Sequence, residues 1–314
     1  LCSFRVSGRA PELWWPDTGR IERIAVYDIV PEGTRIPIRL GPYGSVFVVF
    51  PKDSAPVDQV VAATRDNIEI TGMQGTSPTD LRTSQKGIRI ERTEGGGLEL
   101  ETARGGAYEL RTASGKRLHR GIPALPAPIE IAGPWTVDFP QGWGAPPRIT
   151  LEKLMSWTAH PDPGVKYFSG TASYRSRIQV PETALGEHRR LYLDLGRVEV
   201  MAEVLLNGHS AGIVWKPPYR VDVTNVARAG SNDLEIRVVN LWPNRLIGDA
   251  HLPEDTEWDG PSIRRWPQWL LEGKPSPTGR VTFTTWKHWT KDDPLFESGL
   301  LGPVRLEQWT VSRF

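Results

Sequence analysis

Any chemistry in this sequence must come from carboxylates, indoles and scattered basic side chains. It has no Gly-x-Ser-x-Gly elbow, no phosphate-cradling glycine loop ahead of a helix, and a single cysteine, Cys2. Glycoside hydrolysis needs two carboxyl groups, about 5 Å or about 6.5–9.5 Å apart. With 37 Asp and Glu among 314 residues, composition alone supplies many pairs. The densest acidic set is Asp249, Glu254, Asp255, Glu257 and Asp259, in a segment that also holds Trp242, Arg245, His251 and Trp258. It reads either as loop solvation, turns and local ion pairs or as partial ligand contact, and no residue earns a catalytic role. The other oxygen-rich spacing, Asp222-Val223-Thr224-Asn225, reads as a turn closing a strand. Neither stretch matches an EF-hand, which needs alternating oxygen ligands, a central Gly and a late Glu. One Cys and scattered His exclude the usual zinc frameworks, so the sequence leaves a metal site unassigned.

The 13 Trp residues, against seven Tyr and eight Phe, are the stronger clue. An exposed indole offers a rigid apolar face and one N–H donor, which suits the C–H patches of a saccharide ring. Two stretches combine Trp with polar partners. One runs from Trp242 through Asn244, Arg245 and Asp249 to His251; the other runs from Trp286-Lys287-His288-Trp289 to Asp293. The carbohydrate-binding candidates are therefore Trp242, Asn244, Arg245, Asp249, His251, Trp286, His288 and Trp289. Indoles also plug the space between two sheets, and that alternative applies with more force to Trp135, Trp143, Trp157 and Trp309.

Thirty-eight Lys and Arg against 37 Asp and Glu give a net charge of +1. Phosphate neutralisation needs a basic excess, so nucleic acid is not an expected partner. No apolar run approaches the roughly 18 residues of a membrane span; the longest are Ser45–Phe50 and Val198–Leu206, and a membrane is not an expected partner either. Adding Gly to the apolar residues gives about 49%, a globular composition. Cys2 cannot form an internal bridge. The chain opens at Leu1 without a basic n-region or an apolar h-region, and the expectation is a processed, truncated or excised piece of a longer protein.

The elements that must carry these residues are strands. Apolar residues fall at alternate positions in Arg35–Leu40, Gly87–Glu91 and Leu98–Glu101, the pattern of half-buried strands. Between residues 87 and 118 strands recur about every ten residues, divided by glycine turns, which predicts an antiparallel meander. Pro123, Pro126 and Pro128 exclude a central strand from Arg120–Pro128 and place a domain boundary there: residues 1–128 form a β-rich sandwich or meander region, and 129–314 a second domain. In the second, strands are expected near Trp135–Phe139, Gly170–Val180, Arg190–Leu195, Ala202–Leu206, His209–Trp215, Tyr219–Val223, Asp233–Asn240, Arg280–Trp286 and Val304–Val311, enough for a two-sheet jelly roll. Asn207-Gly208 is the strongest hairpin signal. Helices are few: Val57–Arg65 and Leu151–Trp157 admit short ones, the second capped by Thr150, and Trp258–Leu271 reads as an irregular loop with one short helix.

Several stretches resemble a known family. Gly164-Val165-Lys166-Tyr167-Phe168-Ser169-Gly170, Leu191–Val198, Ala202-Glu203-Val204-Leu205-Leu206-Asn207-Gly208 and Trp215-Lys216-Pro217-Pro218-Tyr219 resemble the galactose-binding-like jelly roll of family 2 glycoside hydrolases. Asn240-Leu241-Trp242-Pro243-Asn244-Arg245-Leu246-Ile247-Gly248-Asp249, Thr282–Trp286 and Ser298–Val304, with Glu12-Leu13-Trp14 and Gly44–Phe50, narrow the resemblance to the C-terminal region of glycoside hydrolase family 106, the α-L-rhamnosidases. It implies an all-β fold: an antiparallel sandwich region followed by a galactose-binding-like jelly roll. It also implies a periplasmic or extracellular enzyme that removes terminal α-L-rhamnose from plant-type glycans with inversion, using two glutamates of a (β/α)₈ barrel and a calcium ion near the substrate. The alternating strand and helix units of such a barrel are missing here. The expected partners are thus an upstream catalytic barrel of the same protein and rhamnose-containing glycans, with no cofactor in this chain. A stand-alone carbohydrate-binding module and the corresponding domain of a family 2 β-glycosidase are the alternatives.

Overall fold

The computed structural model describes residues 1–71 and 87–314. The protein is all-β, built from antiparallel sheets, with three short helices among the described residues. It divides into two compact units: one comprises Leu1–Pro128, Thr183–Tyr192 and Glu307–Phe314, the other Ile129–Glu182 and Leu193–Leu306. Among the described residues no helix is long and apolar enough to cross a membrane.

In the first unit, Glu12–Trp15 pairs with Arg20–Arg23 on one side and Phe47–Val49 on the other. Leu13 on this sheet packs with Ile24, Tyr27 and Ile36. A larger core gathers Val60, Ala63, Leu98, Leu100, Tyr108 and Leu110. The expected meander resolves into two hairpins that belong to different sheets. Ile88–Arg92 and Leu98–Thr102 pair with each other, and the latter also takes Thr310–Arg313. Gly106–Thr112 pairs instead with Arg117–Ile122 and Val60–Arg65. At the crossing, the Tyr108 hydroxyl donates to Arg104 O at 2.8 Å and lies 2.9 Å from Thr102 Oγ1.

Val60–Arg65 is a strand, not the two helical turns its spacing suggests. Opposite Arg111 and Thr112 the register shifts, so that Ala62 and Val60 find partners while Val61 is the extra residue. Such a bulge lets Val60 and Ala63 share the buried face although they are three apart. An i, i+3 apolar pair thus arises without a helix.

The second unit is built on a six-stranded sheet: β1 (Trp135–Asp138), β2 (Arg148–Leu151), β3 (Thr171–Val180), β4 (Met201–Leu206), β5 (His209–Val214) and β6 (Gly230–Val239), in the order β2-β1-β3-β6-β4-β5. Asn207 and Gly208 join β4 to β5 with φ of 54° and 79°, the paired positive φ values of a type I′ turn. Alternate residues point inward, among them Val137, Ala172, Tyr174, Val204, Ile236 and Val238, all fully buried. The outward positions carry a ladder of opposite charges across the strands. Asp138 pairs with Arg148 and Arg175, Arg175 with Glu235, Glu235 with Arg237, and Arg237 with Glu203. Burying one face while the other stays in water is what an antiparallel sheet permits.

An aromatic cluster fills the inner side. Phe139 and Phe168 are 4.8 Å apart, Trp157 lies 5.3 Å from Phe168, and Trp157 stacks on Tyr174 at 6.3 Å. Trp135 and Trp157 are fully buried, as sheet plugs. A strand pair, Arg197–Glu199 with Gly299–Gly302, closes over them, and the Leu300 amide donates to the Tyr174 hydroxyl at 3.1 Å. Gly299 sits at φ +96°, where a Cβ would come within 2.8 Å of Trp157 Nε1 and the Tyr174 hydroxyl oxygen; only glycine fits there.

Two expected elements of this unit are absent. Thr150 and Leu151 end β2, and the turn that follows is a 3₁₀ turn, Trp157–Ala159, capped by Ser156. Residues 280–286 alternate like a strand but form none, because the Val281 and Thr282 amides donate to a carboxylate instead of a neighbouring strand. Trp258–Leu271 holds a small hairpin, Glu257–Asp259 with Ser262–Arg265, and then the one short helix expected, Gln268–Leu271.

Candidate functional site

The site residues all lie in the second unit, and they sort into two layers. Asn244, Arg245 and Asp249 belong to a helix, Pro243–Asp249, and are buried. Pro243 opens this helix with its φ preset and no amide to leave unpaired. Asp249, 1% exposed, pairs with Arg245 one turn earlier at 2.8 Å. Its second oxygen accepts from Val281 N at 3.0 Å, Thr282 N at 2.8 Å and Thr282 Oγ1 at 2.7 Å. Asn244 donates to Phe296 O at 2.7 Å and accepts from Phe296 N at 2.9 Å. Asn244 and Asp249 therefore brace the irregular segment 281–298 against the helix, Arg245 is the ion-pair partner of Asp249, and all three side chains are buried. Gly248 permits close packing at the end of the helix, where a Cβ would lie 2.5 Å from Tyr167 Cβ.

The outer layer is a shallow groove open to solvent. Its floor and walls include Leu246, Ala250, Phe283, Trp258, Trp286 and Trp289, and its polar rim includes Glu254, Asp255, Arg280, Lys287 and His288. Trp286 is 55% exposed. Of the eight sequence candidates, the groove unites Trp286, His288 and Trp289. Trp242 is half exposed and rests 5.6 Å from the Trp143 ring, outside the groove. His251 pairs with Tyr167, whose hydroxyl is 3.4 Å from Nε2, and also lies outside it. Trp258, Phe283 and Lys287 line the groove without having been picked out. The signal available was proximity alone: Lys287 lies within the second Trp-rich stretch, Phe283 three residues before Trp286, and Trp258 beside the acidic set.

The acidic set is largely consumed by internal partners. Glu254 accepts from Trp258 Nε1 at 2.9 Å and from Lys287, with Arg280 at 3.8 Å. Burial pushes the Glu254 carboxyl up, but donation from Lys287 and Trp258 and the charges of Lys287 and Arg280 outweigh it and hold the group below the usual carboxylate range. Asp255 takes Ser276 and Thr278 hydroxyls and pairs with Arg280 at 3.3 Å. Glu257 pairs with Arg265. Asp222 accepts from the Thr224 amide and hydroxyl at 2.9 and 2.5 Å, a turn closing the strand Arg220–Asp222. Among the described residues no three His, Cys, Asp or Glu side chains converge to hold a metal ion.

Residues 159–265 match the family described as glycosyl hydrolase 2 galactose-binding domain-like, so the chain contains a glycosidase-related galactose-binding-like domain. A protein of Formosa agariphila named "Putative beta-glucuronidase" is 49% identical over 193 residues, covering 62% of this chain and 17% of the relative. A solved rhamnosidase from Novosphingobium sp. PP1Y is 33% identical and superimposes with a TM-score of 0.62, over 97% of this chain and 21% of that one. The chain thus spans about a fifth of the length of these relatives.

Proposed function

We propose that this chain is the non-catalytic β-sandwich part of an α-L-rhamnosidase-like glycoside hydrolase. In that reading it supports a (β/α)₈ catalytic barrel located elsewhere in the protein and meets rhamnose-containing glycan. The observation that carries the reading is the similarity to the Novosphingobium rhamnosidase, which runs through both units and 97% of the chain at 33% identity. The Formosa relative matches a smaller share at higher identity, and this favours a second reading, the equivalent part of a β-glucuronidase. The exposed Trp286 indole of the groove is compatible with either and also with a free carbohydrate-binding module. The first reading carries a periplasmic or extracellular location and an inverting parent enzyme with it.

The test is substrate choice by the polypeptide in which this chain naturally resides, assayed against 4-nitrophenyl α-L-rhamnopyranoside and 4-nitrophenyl β-D-glucuronide. Release from the rhamnoside alone is expected. Release from the glucuronide alone transfers the chain to the second reading.

A further inference from the structure

We propose that the groove between Trp258, Trp286 and Trp289 is a subsite for an uncharged pyranose ring and rejects uronic acids. This rests on the reading that the chain meets glycan, and it adds which chemical class of sugar the groove accepts. Four charged side chains line the groove, two acidic and two basic: Glu254, Asp255, Arg280 and Lys287. Each is paired with another member of the set. Lys287 bonds Glu254, Arg280 lies 3.8 Å from Glu254, and Arg280 lies 3.3 Å from Asp255. Among these four no cation lacks a carboxylate, so a sugar carboxylate entering the groove would have to displace Glu254 from Lys287 or approach Glu254 and Asp255 at like charge. Unpaired repulsion of this kind is a common source of specificity.

An uncharged pyranose meets no such obstacle. Its C–H face can lie on the Trp286 indole, the apolar wall of Leu246, Ala250 and Phe283 accepts ring carbons or a methyl group, and its hydroxyls reach the rim. The surface is also held in place before any ligand arrives, which lowers the ordering cost of binding. Lys287 N donates to Pro261 O at 2.7 Å and Ile263 N to Thr285 O at 3.1 Å. Trp286 N donates to Thr284 Oγ1 at 3.2 Å, and Arg280 Nη2 donates to Leu252 O at 3.2 Å. Residues 280–288 form no strand or helix, yet they are tied to the hairpin at Pro261 and Ile263 and to Leu252.

The experiment is a titration of the 314-residue chain with methyl α-L-rhamnopyranoside and methyl β-D-glucuronide, followed by Trp fluorescence and saturation-transfer NMR, with sugar release from an aryl rhamnoside measured on the same sample. The rhamnoside should saturate and bind at least about fivefold more tightly than the glucuronide. Trp286→Ala should weaken it about tenfold or more, whereas Trp215→Ala, which alters another exposed indole outside the groove, should leave it unchanged. Glu254→Gln frees Lys287 and should strengthen glucuronide binding severalfold while the rhamnoside changes little. Equal or tighter glucuronide binding by the unaltered chain, rhamnoside binding that survives Trp286→Ala, or no saturation by either sugar overturns the proposal. Sugar release by the chain alone overturns the non-catalytic reading and leaves the groove's preference to be judged on the titration.

Discussion

Removing the carboxylate of Asp249 should be among the most damaging single changes in the second unit. The side chain is 1% exposed, it faces Arg245 at 2.8 Å, and it accepts three further hydrogen bonds from residues 281 and 282. Asp249→Ala leaves the Arg245 guanidinium, itself 9% exposed, without a counter-charge and strands two amides and a hydroxyl. Breaking a buried ion pair from one side costs about 3–5 kcal/mol. For a unit of about 170 residues with an unfolding entropy near 2.1 cal/mol/K per residue, that lowers Tm by about 8–14 °C. Asp249→Asn keeps an acceptor for the amides and should cost less, about 1.5–3 kcal/mol. Because Arg245 and Asp249 form one unit, Arg245→Met combined with Asp249→Leu should be milder than the sum of the singles by at least about 1.5 kcal/mol. Urea denaturation of the parent, Asp249→Ala, Asp249→Asn, Arg245→Met, Asp249→Leu and the double variant, monitored by fluorescence and circular dichroism, supplies the values. An Asp249→Ala variant within about 0.5 kcal/mol of the parent, or strictly additive singles, would refute the bracing role.

Three further outcomes are expected. Gly299→Ala places a methyl within 2.8 Å of Trp157 and Tyr174 at a φ of +96° and should cost about 2–4 kcal/mol; an unchanged urea midpoint would mean that the aromatic cluster can yield. Asn207→Ala removes side-chain bonds to Val226 O, Asn232 Oδ1 and Asp233 N together with a residue that tolerates positive φ, and should lower stability by about 1–2 kcal/mol in the same assay. Burial pushes the Glu235 carboxyl up, but its hydrogen bond from Arg237 and the charges of Arg175 and Arg237 hold it below its ordinary value. Its folded pKa lies under the unfolded one, so its contribution is present at neutral pH and is lost as pH falls from about 5 through the folded value. Glu235→Gln should flatten that part of the stability profile, and an unaltered acid limb would show that the ladder adds nothing there.

The sheet framework of the second unit was largely legible because local and tertiary signals agree there. Asn207-Gly208 carries the φ values its turn requires, and alternation in Thr171–Val180 and Gly230–Val239 matches one buried and one wet face. The indole plugs Trp135 and Trp157 were legible as an option. What failed did so where a distant partner decides. Val60–Arg65 looks helical because a bulge at Val61 puts Val60 and Ala63 on one face. Residues 280–286 look like a strand because nothing local reveals that Asp249 takes their amides. The groove was half legible: Trp286, His288 and Trp289 are adjacent in sequence, whereas Trp258, Glu254 and Phe283 reach it from elsewhere in the loops. Asn244, Arg245 and Asp249 look like ligand contacts from composition alone, and only burial reveals them as braces.

The central claim is that these residues form a non-catalytic, sugar-contacting part of a rhamnosidase-like hydrolase. Its most direct test is the release of 4-nitrophenol from 4-nitrophenyl α-L-rhamnopyranoside by the purified 314-residue chain, beside an equal molar amount of the polypeptide in which it naturally resides. The account predicts turnover by the larger polypeptide and none by the chain. Turnover by the chain alone would contradict it and place two catalytic carboxylates among the residues described above.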